Sequence, residues 1–417
     1  MNEILQSGSI DGLFSTEETF RIFDHFQEKY PQLIKKKDIG YTVRGVSILS
    51  YTLSSSFDSK TNHKKPKVLF TGAHHARELL TPTICLKIFI EALFGLLNQK
   101  SAQKHWKFND LIIVPIVNID SHDSISSSFK TKSWDKEKWR RKNFNTSYCP
   151  DKNFGVDLNR NYGFHFGESV EDLDPCSETY RGPSAFSEPE TQAIRKLIEE
   201  ENGMISSAMN FHSYGNIWIH PFNYMRFPNK YPERFNESIL KFYEQFGKEV
   251  AKISKAEYGN AIETVGYFTD GEASDWMLGE HGIIAFSPEL GSQHSMAQTF
   301  FLPKNLINEV IKENFGVIQL FLDRNVFDSS SSWYGFDNNN RFSFEIRNNG
   351  LSSLYDPYVR ISSDNLRFLT SIIKVETSNN GSINSQSVFE LDEERKELKI
   401  QISMIDRLSD FKMTFEF

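Results

Sequence analysis

The sequence predicts an α/β domain on a mostly parallel or mixed central sheet, followed by a small antiparallel β-sandwich. Three observations carry this. Four short runs are apolar on both faces and alternate with helical stretches, as the buried strands of an α/β sheet do. A polar run, Asp328-Ser-Ser-Ser-Ser332, separates this text from short alternating segments set between Asn, Gly and Ser turns. Between Asn118 and Ser187 there is little apolar periodicity, and a connection that long inside a compact domain is usually functional.

In chain order, Ser15-Thr-Glu-Glu18 has the spacing of a capping box, and Phe20, Phe23 and Phe26 follow at helical intervals until Pro31 stops the helix. The strand runs are Val68–Thr71, Leu111–Val117, Met209–Phe211 with Ile217–Ile219, and Ile283–Phe286. Helices are predicted over Thr81–Asn98, over Glu188–Glu201 behind a second capping box at Ser187 and Glu190, over Glu233–Lys255 and over Pro303–Leu322. Beyond the serines, Arg341–Ile346, Val359–Ser362, Ser371–Val375, Ser387–Leu391, Leu398–Ile405 and Phe411–Phe417 read as strands. The expected organisation is a main domain over 10–327, a linker over 328–332 and an accessory β-sandwich over 333–417. No internal repeat points to a solenoid or propeller.

Composition narrows the function classes. A chain of 417 residues, 39% hydrophobic and 24% charged, is a folded protein of more than one domain. Its net charge of -8 is spread with mixed signs, so no nucleic-acid surface is expected. The longest apolar region, Ile84–Leu97, is broken by Lys87 and Glu91, so no membrane span is expected either. Met1–Ser9 lacks the apolar core of a secretory signal, so the chain reads as cytosolic, already processed, or started elsewhere. Cys85, Cys149 and Cys176 leave the redox compartment open by count.

The chemistry gathers at strand ends, where α/β sheets bind ligands. The first strand runs into Gly72-Ala-His-His-Ala-Arg-Glu78, where His75 and Glu78 can offer an imidazole nitrogen and a carboxylate oxygen to one cation. The third runs into His212-Ser-Tyr214, a third ligand of the kind a catalytic zinc takes beside water. The fourth ends at Glu289, a carboxylate able to take a proton from metal-bound water. The long connection adds Trp139-Arg-Arg-Lys-Asn143 and Asp157-Leu-Asn-Arg-Asn161, whose guanidinium groups suit carboxylate recognition or oxyanion stabilisation.

In these residues the chain resembles the metallocarboxypeptidase family typified by pancreatic carboxypeptidases A and B, peptidase family M14, over Phe14–Leu322. Six landmarks fall in one order: Gly72–Glu78, Asp157–Asn161, Cys176-Ser-Glu-Thr-Tyr180, His212–Tyr214, Tyr267 before Asp275-Trp276, and Glu289. The resemblance implies an α/β/α three-layer domain with an eight-stranded mixed, largely parallel sheet. It implies one zinc ion on His75, Glu78 and His212, with Asp157 orienting His75 and Glu289 as general base and acid. Asn159 and Arg160 would hold the substrate's terminal carboxylate, Tyr267 would close over it, and Tyr214 would follow a non-proline cis bond.

The oxyanion arginine is either Arg140, if Trp139 sets the register, or Arg141, if Arg-Lys-Asn does, with Arg141 preferred. The resemblance pairs Cys149 with Cys176 as a disulfide, which favours a secreted, lysosomal or vacuolar lumen over the cytoplasm. Glycosylation triplets at Asn145, Asn236 and Asn380 are compatible. The pocket for the terminal side chain would include Ile219, Asn223, Ile262, Thr269, Glu272, Ser274 and Ser287. This mixed lining predicts broad specificity with some acceptance of Lys and Arg. The expected substrate is a peptide or protein C-terminus, and the expected state a monomer. A non-catalytic peptide-binding protein on the same fold, and a specialised deglutamylase or cell-wall peptidase, are the rival readings. Against them, all three ligands and Glu289 are present together with Asn159, Arg160 and Tyr267.

Overall fold

The computed structural model describes side chains over 5–55, 65–98, 108–131, 139–150, 153–168, 173–224, 238–291 and 300–325, with 57 and 106, and backbone strands between 329 and 416. Helix α1 (Thr16–Lys29) opens with the predicted capping box, Ser15 accepting from the Glu18 amide while the Glu18 carboxylate takes the Ser15 amide at 2.9 Å. A hairpin follows, β1 (Ile34–Tyr41) with β2 (Ser47–Leu53), which the sequence reading did not anticipate. In β1 only Ile34 and Ile39 are buried, and Lys35, Lys36, Lys37 and Asp38 between them erase the apolar alternation. This is an edge strand, where charge also discourages pairing with another chain.

Next come β3 (Lys67–Thr71), α2 (Leu80–Leu97) and β4 (Asp110–Val114). The predicted run to Val117 stops at Val114 because Pro115 has no amide for the ladder. Helix α3 (Ile119–Lys130) occupies the start of the connection expected to lack structure. Its buried face includes Ser121, His122, Ser126 and Ser128, so no apolar stripe announced it. A single 3-10 turn, Leu158–Arg160, lies further along the same connection.

The second capping box does not form: α4 (Pro189–Glu200) has Glu188 as its N-cap with no side-chain cap bond, and Glu190 is bonded elsewhere. Then follow β5 (Ile205–Asn210), β6 (Ile217–Ile219), α5 (Glu237–Ser254), β7 (Glu257–Gly259), α6 (Ala261–Thr264), α7 (Ala273–His281), β8 (Ile284–Glu289) and α8 (Lys304–Arg324). Residues 233–236 of the helix predicted over Glu233–Lys255 lie outside the described residues. The paired run Met209–Phe211 and Ile217–Ile219 resolves into two strands on opposite sides of β8.

The eight strands form one mixed sheet in the order β1-β2-β4-β3-β5-β8-β6-β7. The pairs β3/β4, β3/β5, β5/β8 and β6/β7 are parallel, and β1/β2, β2/β4 and β6/β8 antiparallel. Alternate residues of the central strands point to two cores, which is why the runs are apolar throughout. Val68, Phe70, Leu111, Ile113, Met209, Ile284 and Phe286 join Phe23 of α1, Leu86 of α2, Val250 of α5 and Phe321 of α8. Leu69, Ile112, Val114, Ala208 and Ala285 face the other way, onto Ile194 and Leu197 of α4 and Trp276 and Met277 of α7.

Phe286 meets Tyr243, Phe246 and Phe321 at ring separations of 5.2, 5.1 and 5.4 Å, so its truncation to alanine should cost about 3–5 kcal/mol. Helix α2 is by length and composition apolar enough to cross a membrane, yet most of it is buried in the first of these cores.

Beyond α8 the described strands are β9 (Ser329–Phe336), β10 (Arg341–Asn348), β11 (Leu354–Tyr355), β12 (Tyr358–Ser362), β13 (Ile372–Thr377), β14 (Phe389–Asp392), β15 (Glu397–Gln401), β16 (Met404–Ile405) and β17 (Asp410–Glu416). They pair antiparallel as β13-β17-β10-β9, β12-β15-β14 and β11-β16. Strand β9 takes in the serines of 329–332.

Candidate active site

After β3 the chain turns sharply across the sheet edge. The Gly72 amide donates to Val114 O and its carbonyl accepts from Val117 N, both at 3.0 Å. A Cβ on residue 72 would stand 2.6 Å from the Pro115 carbonyl oxygen, so only glycine passes there. Four residues past the strand, His75 faces inward. Its Nδ1 lies 2.7 Å from Glu78 Oε1, and its Nε2 donates to Asp157 Oδ1 at 3.0 Å.

His212 enters from the loop after β5, bridged by backbone to β8: its amide donates to Pro288 O, and Leu290 N donates to His212 O, both at 2.9 Å. His212 Nδ1 lies 3.0 Å from Glu78 Oε2 and 3.2 Å from His75 Nδ1. The three side chains are buried, and one donor atom from each falls within 4.8 Å of the others. Because Asp157 takes the Nε2 proton, His75 turns Nδ1 to the cluster as a lone pair. Two imidazoles and a carboxylate aimed at one point form a donor set that fits zinc.

Charge is strongly organised around this point. Burial alone would raise Glu78, but the flanking His75 and His212 hold its carboxyl well below the usual range. Burial would likewise raise Asp157, and the Arg141 guanidinium with His75 overrules it, holding Asp157 well below its ordinary value. Arg141 donates to Asp157 Oδ2 through Nε at 2.9 Å and Nη2 at 2.8 Å. Arg140 points elsewhere, its guanidinium over Phe154 and Phe144 at 4.3 and 5.0 Å. Glu289 ends β8 beside His212, its carboxyl pushed up to about 7 by burial and then by the Glu78 charge, against His212, Arg141 and Arg160.

Asp157 N-caps the 3-10 turn that presents Asn159 and Arg160. The Asn159 amide nitrogen lies 3.3 Å from His212 Nε2 and 3.4 Å from Glu272 Oε1, and its oxygen accepts from Ala273 N at 3.1 Å. Arg160 Nη1 donates to Asn159 O at 2.9 Å. Tyr267, by contrast, is 51% exposed. The Ser213-Tyr214 bond is cis, as is Pro221-Phe222, and the Tyr214 ring packs edge-on to Phe300 at 4.9 Å.

Beside Asn159 lies the buried carboxylate of Glu272. Glu272 N-caps α7, Oε2 accepting from Ser274 N at 2.8 Å and Asp275 N at 3.1 Å as well as from the Ser274 hydroxyl, while Oε1 accepts the Ser287 hydroxyl. Asn223, Thr269 and Ile219 are buried close by, and Asp275 takes the Asn223 amide at 2.8 Å.

Several residues that hold this site were not singled out by sequence reasoning. Asn118 donates to Arg141 O at 3.3 Å and Ser121 to Lys142 O at 2.9 Å, both from the start of α3. Lys142 donates to the carbonyls of Pro175 and Ser177 at 3.2 and 2.6 Å, flanking Cys176, which is disulfide-bonded to Cys149. His74, beside the ligand His75, bonds Tyr162 OH at 2.9 Å beneath His212. Lys142 and His74 stand inside quoted motifs without being given a role there, and Asn118 and Ser121 stand outside any; each is a polar residue whose partner is a distant backbone or hydroxyl group. The Asn145 side chain is bound to Glu188 Oε2 at 2.9 Å, so the first glycosylation triplet lies against the protein rather than free of it.

An α/β sheet with a buried two-histidine, one-glutamate metal centre at its strand ends defines a class of metallohydrolases. A family profile described as zinc carboxypeptidase, Peptidase M14, matches residues 20–316. The chain belongs to the zinc carboxypeptidase family. It is 26% identical over 307 residues to carboxypeptidase B2 of Homo sapiens, covering 73% of this chain and 68% of that protein. It is 29% identical over 289 residues to carboxypeptidase B of Rattus norvegicus, covering 68% of this chain and 64% of the relative. A solved structure of carboxypeptidase A from Helicoverpa armigera shares the fold at a TM-score of 0.61 and 24% identity, covering 75% of this chain and 73% of that one.

Proposed function

We propose that this protein hydrolyses the C-terminal peptide bond of peptides and proteins, with His75, Glu78 and His212 holding one zinc ion. The observation that carries this reading is the backbone lock between His212 and the end of β8, which sets Glu289 beside the ligand cluster. Bound zinc supplies Lewis acidity and a water of lowered pKa. Glu289, held above the usual carboxylate range, takes the water's proton and returns it to the leaving amine. Arg141, fixed on Asp157, donates to the oxygen on which charge develops; its position supports it over Arg140 for this role. Asn159 and Arg160 hold the terminal carboxylate, Tyr267 closes over it from the exposed rim, and Tyr214 borders the cleft. Together they restrict cleavage to chain ends.

The pocket accepts a mixed range of terminal side chains and takes Lys and Arg through Glu272, whose bonded carboxylate is charge-complementary to a cation. Ser274 and Ser287 keep the floor polar. The Cys149–Cys176 disulfide supports an oxidising compartment, secreted or lysosomal/vacuolar, over the cytoplasm. We read 10–327 as the catalytic unit and the strands from Ser329 onward as an accessory β module that takes in the serines first expected to form a linker over 328–332, and the protein as a monomer with no nucleic-acid partner.

Hydrolysis of blocked dipeptides ending in Phe, Leu, Lys, Arg or Glu, with chelator and zinc add-back, tests the reading. Chelator-sensitive release of the last residue is expected. Stoichiometric zinc with no release from any member would instead favour a binding protein.

A further inference from the structure

Two buried carboxylates stand behind the Arg141 segment and take no part in the reaction above. Glu188 and Glu190 have no solvent exposure, and they meet on one amide. Asn143 Nδ2 donates to Glu188 Oε2 at 2.7 Å and to Glu190 Oε2 at 3.2 Å. Each acid is tied down elsewhere: Asn145 Nδ2 donates to Glu188 Oε2 at 2.9 Å, Ser187 Oγ to Glu188 Oε1 at 2.9 Å, and the Val43 amide to Glu190 Oε1 at 3.0 Å.

The other side of Asn143 closes a rung with Val156. Its amide donates to Val156 O at 3.0 Å, and its side-chain oxygen accepts from Val156 N at 2.8 Å. Arg141 lies two residues before this rung and Asp157 one residue after it, so the rung fixes the register in which guanidinium and carboxylate meet. From the far side, Ala76 N and Asn118 Nδ2 hold the Arg141 carbonyl at 3.1 and 3.3 Å.

We propose that Glu188 and Glu190 are positioning residues for Arg141, acting through Asn143 to set where the guanidinium stands. This rests on Arg141 being the oxyanion donor. A charge-assisted clamp suits the task, because a displacement of about 1 Å in a group that stabilises the transition state can cost about 100-fold in rate.

The test is a double-mutant cycle on the zinc-loaded full chain. Asn143→Ala and Glu190→Ala should lower kcat about 10- to 100-fold with KM and zinc content near wild type, and Glu190→Gln should recover most of the loss. In an Arg141→Ala background, Asn143→Ala should change kcat little, since the group it positions is gone. Losses that multiply in the double mutant, or an Asn143→Ala enzyme with full kcat while Arg141→Ala is impaired, would overturn the positioning role. Full kcat in Arg141→Ala would overturn the oxyanion reading and this inference with it. Should Asn143→Ala not fold, Glu190→Ala, which removes the acceptor Asn143 leans on, carries the same cycle.

Discussion

Asp157 stands between His75 and Arg141, one oxygen taking the imidazole Nε2 at 3.0 Å and the other the guanidinium at 2.8 and 2.9 Å. The same carboxylate thus orients a metal ligand and anchors the proposed oxyanion donor. Asp157→Asn keeps the volume but removes the charge both partners use. Zinc affinity, read by chelator competition, should fall about 10- to 100-fold. Unchanged affinity would confine Asp157 to the arginine.

Arg140 and Arg141 are neighbours with opposite surroundings, and substitution should separate them. Arg141→Ala removes a donor at the developing charge, and kcat should drop about 100- to 1,000-fold. Arg140→Ala loses stacking on Phe144 and Phe154, a stability change of about 1 kcal/mol, with kcat close to wild type. The reverse pattern would reassign the role.

What the sequence disclosed, and what it hid, follows from where each signal resides. Val68–Thr71 and Ile283–Phe286 were legible because strands covered by helices on both faces are apolar at every position. The β1–β2 hairpin was hidden by the lysines of an edge strand, and α3 by the serines on its buried face. His75, Glu78 and His212 were legible as the ordered polar groups at strand ends, and they converge as expected. The arginine register was not legible, since both candidates sit in one basic run. Their difference arises only when Asn143 pairs with Val156, a contact between residues 13 apart.

Glu272→Gln tests the pocket. The amide preserves the volume but cannot oppose a buried cation, so kcat/KM for Lys- and Arg-terminated substrates should fall about 10-fold or more while Phe- and Leu-terminated ones are spared. Equal losses across the panel would mean that Glu272 serves only as the cap of α7.

Glu190 makes stability depend on pH. Burial first, and then the charge of Glu188, raises its carboxyl to about 7, above the unfolded value of about 4.3. The folded state therefore holds the proton more tightly. The stability this confers is complete below about pH 4.3 and is lost as pH rises through 7. Glu190→Gln should accordingly gain on wild type in Tm between pH 5 and 8, by at most about 3 kcal/mol in stability. A difference in Tm that does not vary with pH would show that Glu190 is ionised throughout.

Glu289 links the site's electrostatics to its rate. Its carboxyl is raised by burial and by Glu78, and is opposed by His212, Arg141 and Arg160, so base catalysis should fail on the acid side as the proton returns. A bound dication adds positive charge, which places the acid limb of kcat/KM below 7. Removing Arg141 takes away one opposing charge, and the limb should then move to higher pH as well as lower height. Glu289→Gln should retain zinc and lose about 100- to 10,000-fold in kcat with no acid limb. An Arg141→Ala profile reduced in height but unshifted would mean that the arginine acts on the substrate without being felt by the base.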